Sequence, residues 1–218
     1  MKINGDIIKG IIFDLDGTLF DSCSIWHEVD KEFFLKRNKK LPNGYAEAIG
    51  HLGLDKAADY TINNYFPNEK KEDIIKEWKN AVLSHYANEV KLKPYAKEFL
   101  KHAKEEGIHL CAATANDEDC YKSCLINNGI YDYFDFILDV SLFKHGKEKP
   151  DIYLASAKKL KLNVNECAVF EDLLLALKTA KEAGFKCVAV YEETCQDEEQ
   201  KKKIADMYIT DYKDIIDI

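Results

Sequence analysis

The stretch IIFDLDGTLFDS, Ile11 to Ser22, decides how this chain is read. An apolar, β-rich run from Gly10 to Phe13 breaks at Asp14, Asp16 follows one residue later, and Gly17-Thr18 turns the chain. A strand ending in Asp-x-Asp-Gly-Thr points its first Asp out over the carboxyl edge of a sheet. The second Asp, on the turn, reaches the same small volume. Two carboxylates so placed suit a nucleophile and its proton-transfer partner.

Working outward, further short apolar runs recur between helical stretches: Ile108 to Ala113, Phe136 to Val140, Cys167 to Phe170 and Lys186 to Val190, with Met207 to Ile209 expected as an edge strand. This alternation predicts an α/β fold with a mostly parallel sheet. Pro150 before Asp151 is placed to open a crossover helix, and Gly107 and Gly184 to follow the ends of two others. From Ser22 to Lys91 the pattern changes. Apolar residues fall at helical spacing (Trp26, Val29, Phe33, Phe34; Ile74, Ile75, Trp78, Val82, Leu83) and no strand stands out. The expected organisation is an α/β core over residues 1–21 and 92–218 and an inserted helical domain over 22–91, hinged at Asp21-Ser22 and Leu92-Lys93-Pro94.

The 218 residues, 46% of them apolar, suffice for one full core and a smaller appended domain. With 31 basic and 39 acidic residues the net charge is −8, which speaks against a duplex nucleic acid partner, since phosphate contacts need a basic face. No run of about 18 apolar residues occurs and the N-terminus lacks a signal-peptide layout, so a cytoplasmic protein without membrane association is expected, by default a monomer. The seven cysteines are odd in number and lack CxxC spacing, as reduced thiols do, mostly small core residues.

In open α/β sheets the site forms beyond the carboxyl ends of the strands. Asp14 and Asp16 follow the first run, Thr114-Ala115-Asn116 the next, Gly146-Lys147 precedes the helix at Asp151, and Glu171-Asp172 follows Cys167 to Phe170. Singly, each has a plainer role: Asp14 a turn residue, Thr114 or Asn116 a helix cap, Glu171-Asp172 a complement to a helix dipole. Their joint order carries the reading. Acids this close repel by roughly 4 kcal/mol per ionised pair at an effective dielectric near 20, so a cation must sit among them. Mg²⁺, taking hard oxygen ligands from carboxylates, water and a phosphate, fits. Lys147 and the Thr114 hydroxyl would share the neutralisation of an incoming phosphoryl group.

In order and spacing these segments resemble the four motifs of the haloacid dehalogenase superfamily of aspartate-nucleophile phosphotransferases, whose first motif reads DxDGT, and the match spans almost the whole chain. The resemblance implies a Rossmann-like core with an inserted helical cap. It makes Asp14 the nucleophile that becomes an aspartyl-phosphate, and Asp16 the group that protonates the leaving oxygen and then activates water. Thr114, Asn116 and the backbone amide at Ala115 would hold phosphate oxygens. Lys147 would neutralise charge, and Asp14, the Asp16 carbonyl, Glu171 and Asp172 would ligate Mg²⁺. Aligning Pro150-Asp151 on the third motif puts Lys147 in the functional slot, with Lys149 the second candidate. Leu173 and Ala176 depart from the common Ser and Gly, which bears on packing more than chemistry.

The insertion's position is similar to the helical-cap group that includes phosphoglycolate phosphatases and β-phosphoglucomutases. The expected function is Mg²⁺-dependent hydrolysis of a small phosphomonoester, of sugar phosphate or phosphoglycolate type, with a nucleotide monophosphate also admissible. A phosphosugar mutase is the alternative, although the hexose mutases of this group carry a cap His where this chain has Trp26, and Arg37 is the only arginine. A phosphoacceptor protein without turnover is a further alternative, opposed by the DGT turn and the insertion. Dehalogenation is disfavoured because those relatives lack the second Asp. In the insertion, His51 and Lys56 are expected to be solvated and Trp26 to be core, and Lys201 to Lys203 should form a solvated helix face.

Overall fold

The computed structural model describes residues 1–195 and 197–216. The N-terminus opens with a two-residue hairpin, β1 (Lys2–Ile3) and β2 (Asp6–Ile7). Asn4 and Gly5 take φ of 47° and 84° at its turn. Two consecutive positive φ values define the turn whose twist matches paired strands, and Asn-Gly is the pair that adopts it at least cost.

Six parallel strands then form the main sheet in the order β5-β4-β3-β6-β7-β8. They are β3 (Gly10–Phe13), β4 (His109–Thr114), β5 (Phe136–Asp139), β6 (Cys167–Glu171), β7 (Lys186–Val190) and β8 (Met207–Ile209). Every expected strand is present, with β8 at one edge. β3 is central, and Phe13 stands level with Ala112 of β4 and Phe170 of β6. Asp14, Thr114 and Glu171 therefore leave the sheet at one edge.

Both faces of the sheet are covered, which is why its central strands carry consecutive apolar residues instead of alternating. Ile11, Phe13, Leu110, Ala112, Ala168 and Phe170 point into one apolar cluster. Ile12, Cys111, Ala113, Cys167 and Val169 point into the other. Helices α7 (Asp151–Leu160) and α8 (Leu174–Glu182) bury Tyr153, Ala157, Leu177 and Ala180 on the second face. Helices α5 (Ala96–Glu105), α6 (Glu118–Asn127) and α10 (Lys213–Ile216) cover the first with Phe99, Leu100, Leu125 and Ile215. Pro150 sits one position before the first residue of α7, at its N-cap. Gly107 and Gly184 follow α5 and α8 at φ of 73° and 94°, the left-handed conformation that ends helices.

Between β3 and α5 the chain forms four helices: α1 (Cys23–Lys36), α2 (Tyr45–Ile49), α3 (Leu54–Asn64) and α4 (Lys71–Asn88). Their aromatic centre is Phe33, Phe34, Phe66 and Trp78, with Phe33 and Trp78 ring centroids 5.4 Å apart. The chain leaves and re-enters the core at adjacent points: Asp21 N donates to Lys91 O at 2.9 Å, and Lys93 N to Leu19 O at 2.8 Å.

Phe170 joins the strand bearing the site to the first core face. Its ring is stacked on Tyr212 with an interplanar angle of 7°, lies 4.9 Å from Phe13 by centroid, and is fully buried. Phe170→Ala should lower unfolding stability by about 3–5 kcal/mol, read as a shift in the urea midpoint.

Candidate active site

Asp14 begins the loop beyond β3, its N–H donating to Phe170 O at 3.0 Å. The loop then tightens, with Leu19 and Phe20 N–H both donating to Leu15 O. Gly17 holds φ of 79°, and a Cβ there would meet Asp172 Oδ2 at 2.4 Å and Cys23 Sγ at 2.7 Å. The glycine of the DGT triplet is thus required twice, by backbone conformation and by the close approach of Asp172. Thr18 Oγ1 donates to Asp172 Oδ1 at 3.3 Å, tying the first loop to the last.

Lys147 is fully buried, and its ammonium donates to Asp14 Oδ1 and, at 2.6 Å, to Glu171 Oε1. Lys149 is exposed, so of the two candidates it is Lys147 that reaches Asp14. Burial alone would push the Lys147 pKa down, but the facing carboxylates of Asp14 and Glu171 outweigh it and hold the ammonium firmly charged. Tyr153 OH also donates to Glu171 Oε1, at 2.6 Å, whereas Glu171 Oε2 is buried with no partner. Burial first and the Asp14 charge second raise the pKa values of both Glu171 and Asp172, against the Lys147 charge in the case of Glu171. Asp14, Glu171 and Asp172 each offer an oxygen within 4.8 Å of the others. Three carboxylates of hard oxygen chemistry, one oxygen unpartnered and one ammonium among them, fit a divalent cation such as Mg²⁺.

The Asp16 side chain lies apart from this trio. It accepts from Ser22 Oγ at 2.6 Å, from Asn116 Nδ2 at 2.8 Å and from Tyr86 OH, whose oxygen in turn accepts from Trp26 Nε1 at 2.6 Å. Burial raises its pKa in spite of these donors. Asn116 therefore holds Asp16, and the cap of α6 is Asp117, which accepts from Asp119 N. Thr114 is buried beside it, its hydroxyl accepting from Asn116 N at 3.0 Å, and Ala115 stands between them on the cavity wall.

That cavity, about 680 Å³, lies between the sheet edge and the inserted helices. The core contributes Asp14, Asp16, Ala115, Asn116 and Asp172, and the insertion Trp26, Leu41, Tyr45, Leu54 and Trp78 among others. The volume is that of a small-molecule site. The two parts also meet through backbone: Lys147 N donates to His51 O at 3.0 Å, and a Cβ on Gly146 would strike that same oxygen at 2.3 Å.

Several residues depart from their expected settings. Trp26 is only half-buried, lining the cavity and supporting Tyr86 in place of filling the insertion's core. His51 and Lys56 are not solvated: His51 Nδ1 and Lys56 Nζ are buried without a partner, and burial lowers the His51 pKa. Lys201 is buried, donating to Asp172 O at 2.9 Å, while Lys202 and Lys203 are exposed. Its place beside Ile204 on one face of the short helix α9 (Glu198–Ile204) is the signal that marks it. Tyr86 continues the four-residue spacing of Ile74, Trp78 and Val82, which foretells burial but not the contact with Asp16. Asp30 interrupts the apolar face of α1 and lines the cavity at 4% exposure, without a hydrogen bond or ion pair among the described residues.

Residues 11–190 match the family of haloacid dehalogenase-like hydrolases, and the chain belongs to that family. It is 28% identical to the Bacillus subtilis protein YhcW over 185 residues, 84% of each chain. It is 27% identical over 186 residues to the phosphorylated carbohydrates phosphatase of Thermotoga maritima, covering 82% of this chain and 83% of that one. Among solved structures, a β-phosphoglucomutase from Clostridium difficile superposes with a TM-score of 0.80 at 23% identity, over 96% of this chain and 93% of that one, a likeness of fold. No helix among the described residues is long and apolar enough to cross a membrane.

Burial without a partner raises the Asp30 pKa from 3.8 to about 7. The folded protein thus retains a proton that the unfolded chain has released, and stability falls as pH rises from the unfolded value through about 7. Asp30→Asn removes that loss. Its melting temperature should exceed the wild type's by about 3 °C or more near pH 8, the gain shrinking towards acid pH, as read by scanning calorimetry.

Proposed function

We propose that this enzyme is a phosphatase that hydrolyses a small phosphomonoester, of sugar phosphate or phosphoglycolate type, through an aspartyl-phosphate on Asp14. The observation that carries the reading is the pairing of the buried Lys147 ammonium with Asp14, which lines a cavity that also holds Asp16. An Asp14 oxygen attacks phosphorus, the bond to the leaving oxygen breaks, and Asp16 gives that oxygen its proton. Water then attacks the phosphorus of the acyl phosphate while Asp16 takes back a proton, releasing phosphate and restoring Asp14. Burial favours the protonated form of Asp16, the form the first step requires, and Asn116, Ser22 and Tyr86 hold it in place. Lys147 offsets charge on Asp14 and on the phosphoryl group, and Thr114 and the Ala115 amide bind phosphate oxygens.

Mg²⁺ held by Asp14, Glu171 and Asp172, with the Asp16 carbonyl as a further ligand, would supply the positive charge that lets a carboxylate approach a phosphate dianion. Residues 22–91 act as a cap that excludes bulk water and limits the substrate to a small molecule. The fold likeness to β-phosphoglucomutase favours mutase activity as a second reading. Opposing it, Arg37 is engaged by Glu69 and Glu77 at 3.1 and 2.9 Å and stacked on Phe33, so the sole arginine is spent inside the insertion. A mutase needs cations for a second phosphate, and this cavity supplies few.

Phosphate release from a panel of small phosphomonoesters, with Mg²⁺ and after chelation, tests the proposal. Turnover should require the metal, and Asp14→Asn or Lys147→Ala should lower it by about a thousandfold or more, Lys149→Ala little. Metal-independent turnover, or activity surviving in Asp14→Asn, would sink the reading. Formation of glucose 6-phosphate from β-glucose 1-phosphate would instead establish the mutase.

A further inference from the structure

Asp30 is a buried carboxylate that the hydrolytic scheme does not use. It sits on α1 at 4% exposure, on the wall of the cavity that holds Asp14 and Asp16, and it has no hydrogen-bond or ion-pair partner among the described residues. Buried carboxylates in folded proteins are paired, because an isolated one loses its hydration for nothing in return. Below about pH 7 a proton meets that cost, and above it the partner must come from what fills the cavity.

The surroundings limit what that partner is. Among the described residues the cationic side chains lining the cavity are His27, which is exposed, and Lys31, whose ammonium is held by Glu28 at 3.3 Å. Glu47 adds a second acid from the insertion. A carboxylate or second phosphate on the distal end of a substrate would meet Asp30 and Glu47 on a wall where the lining ammonium, that of Lys31, is solvent-exposed and paired with Glu28. Asn43 aside, the rest of the insertion's wall is mostly apolar, from Leu41, Tyr45, Ile49, Leu54 and Trp78.

We propose that the cavity selects phosphomonoesters whose leaving group is not anionic and donates a hydrogen bond to Asp30, through a hydroxyl or an ammonium carried on an apolar body. The inference rests on the phosphatase reading and narrows it towards the sugar phosphate side, away from phosphoglycolate and bisphosphates. Asp30 acts here as a specificity-determining residue, set apart from the carboxylates that would perform the chemistry.

Three benzyl phosphates that differ only at the para position, as aminomethyl, hydroxymethyl or carboxylate, provide the test, assayed at about pH 8.5 where Asp30 is ionised. In the wild type kcat/KM for the carboxylate should fall about tenfold or more below that of the better of the other two, with the difference in KM. In Asp30→Asn that ratio should shrink about fivefold or more; ratios within one variant do not depend on how much of it is folded. The faster of the aminomethyl and hydroxymethyl compounds identifies the donor. Equal turnover of all three by the wild type, or an unchanged ratio in Asp30→Asn, would overturn the inference. If the wild type released phosphate from none of them, the phosphatase reading would fall. Calorimetric binding of the matching benzylphosphonates would then decide the inference alone: the same order and the same loss of order in Asp30→Asn support it, and equal affinities overturn it.

Discussion

Asp14, Glu171 and Asp172 come within 4.8 Å of one another in a buried volume with the Lys147 ammonium as the cation in contact. No arrangement of apolar neighbours relieves that repulsion, so much of the sheet edge answers to it. Lys147 bridges two of the acids, Tyr153 donates to Glu171, Thr18 donates to Asp172, and Lys201 reaches the Asp172 carbonyl. Burial first and the Asp14 charge second still raise the pKa values of Glu171 and Asp172. A folded chain tolerates such a deficit where function needs it and the surrounding core over-determines the geometry. Here that core is the two-sided apolar packing of β3, β4 and β6, which leaves the loops little freedom at their roots.

The inserted helices complete the site as well as cover it. Tyr86, on α4, donates to the Asp16 carboxylate, and the His51 carbonyl, in the loop between α2 and α3, accepts from the Lys147 amide. Two groups on which the chemistry would depend are thus touched from the insertion, one through a side chain and one through backbone. Displacing the insertion would strip Asp16 of the Tyr86 donor and the Lys147 amide of its acceptor. Gly146 makes the second contact sterically feasible, since any side chain there would collide with the His51 oxygen.

The elements of the core were legible because each obeys a local rule: apolar runs at strand length, glycines past helix ends, acids just beyond strands. The four segments that converge were readable for the same reason, the parallel topology carrying every strand end to one edge. Other features were hidden in different ways. The Asn4-Gly5 hairpin had its signal in two residues of turn chemistry, too short for any periodic pattern to mark. Tyr86 and Lys201 lie on helix faces, and which distant group each meets, the Asp16 carboxylate or the Asp172 carbonyl, is encoded by no spacing along the chain. Trp26 and Trp78 carry the apolar spacing of core residues, yet both line the cavity; an inner wall and a core obey the same pattern. Asp30 is the informative exception, a charge on an otherwise apolar helix face.

The electrostatics of core and cavity join at this point. A phosphate dianion entering a pocket lined by Asp14, Asp16, Asp30, Glu47 and Asp172 would be opposed by those of these carboxyls that are ionised. Lys147 offsets part of that opposition, and the oxygen-rich trio has room in its charge balance for a divalent cation to offset more. All of this relief lies at the sheet edge, where the proposed chemistry would place the phosphoryl group, and away from Asp30 on α1. On the proposed reading a substrate would be met by two unlike environments, a compensated end for its phosphate and an end where an ionised Asp30 would repel further negative charge. Discrimination at the second end would need no dedicated repulsive device. It follows from leaving one carboxylate buried and unpaired where the leaving group must lie.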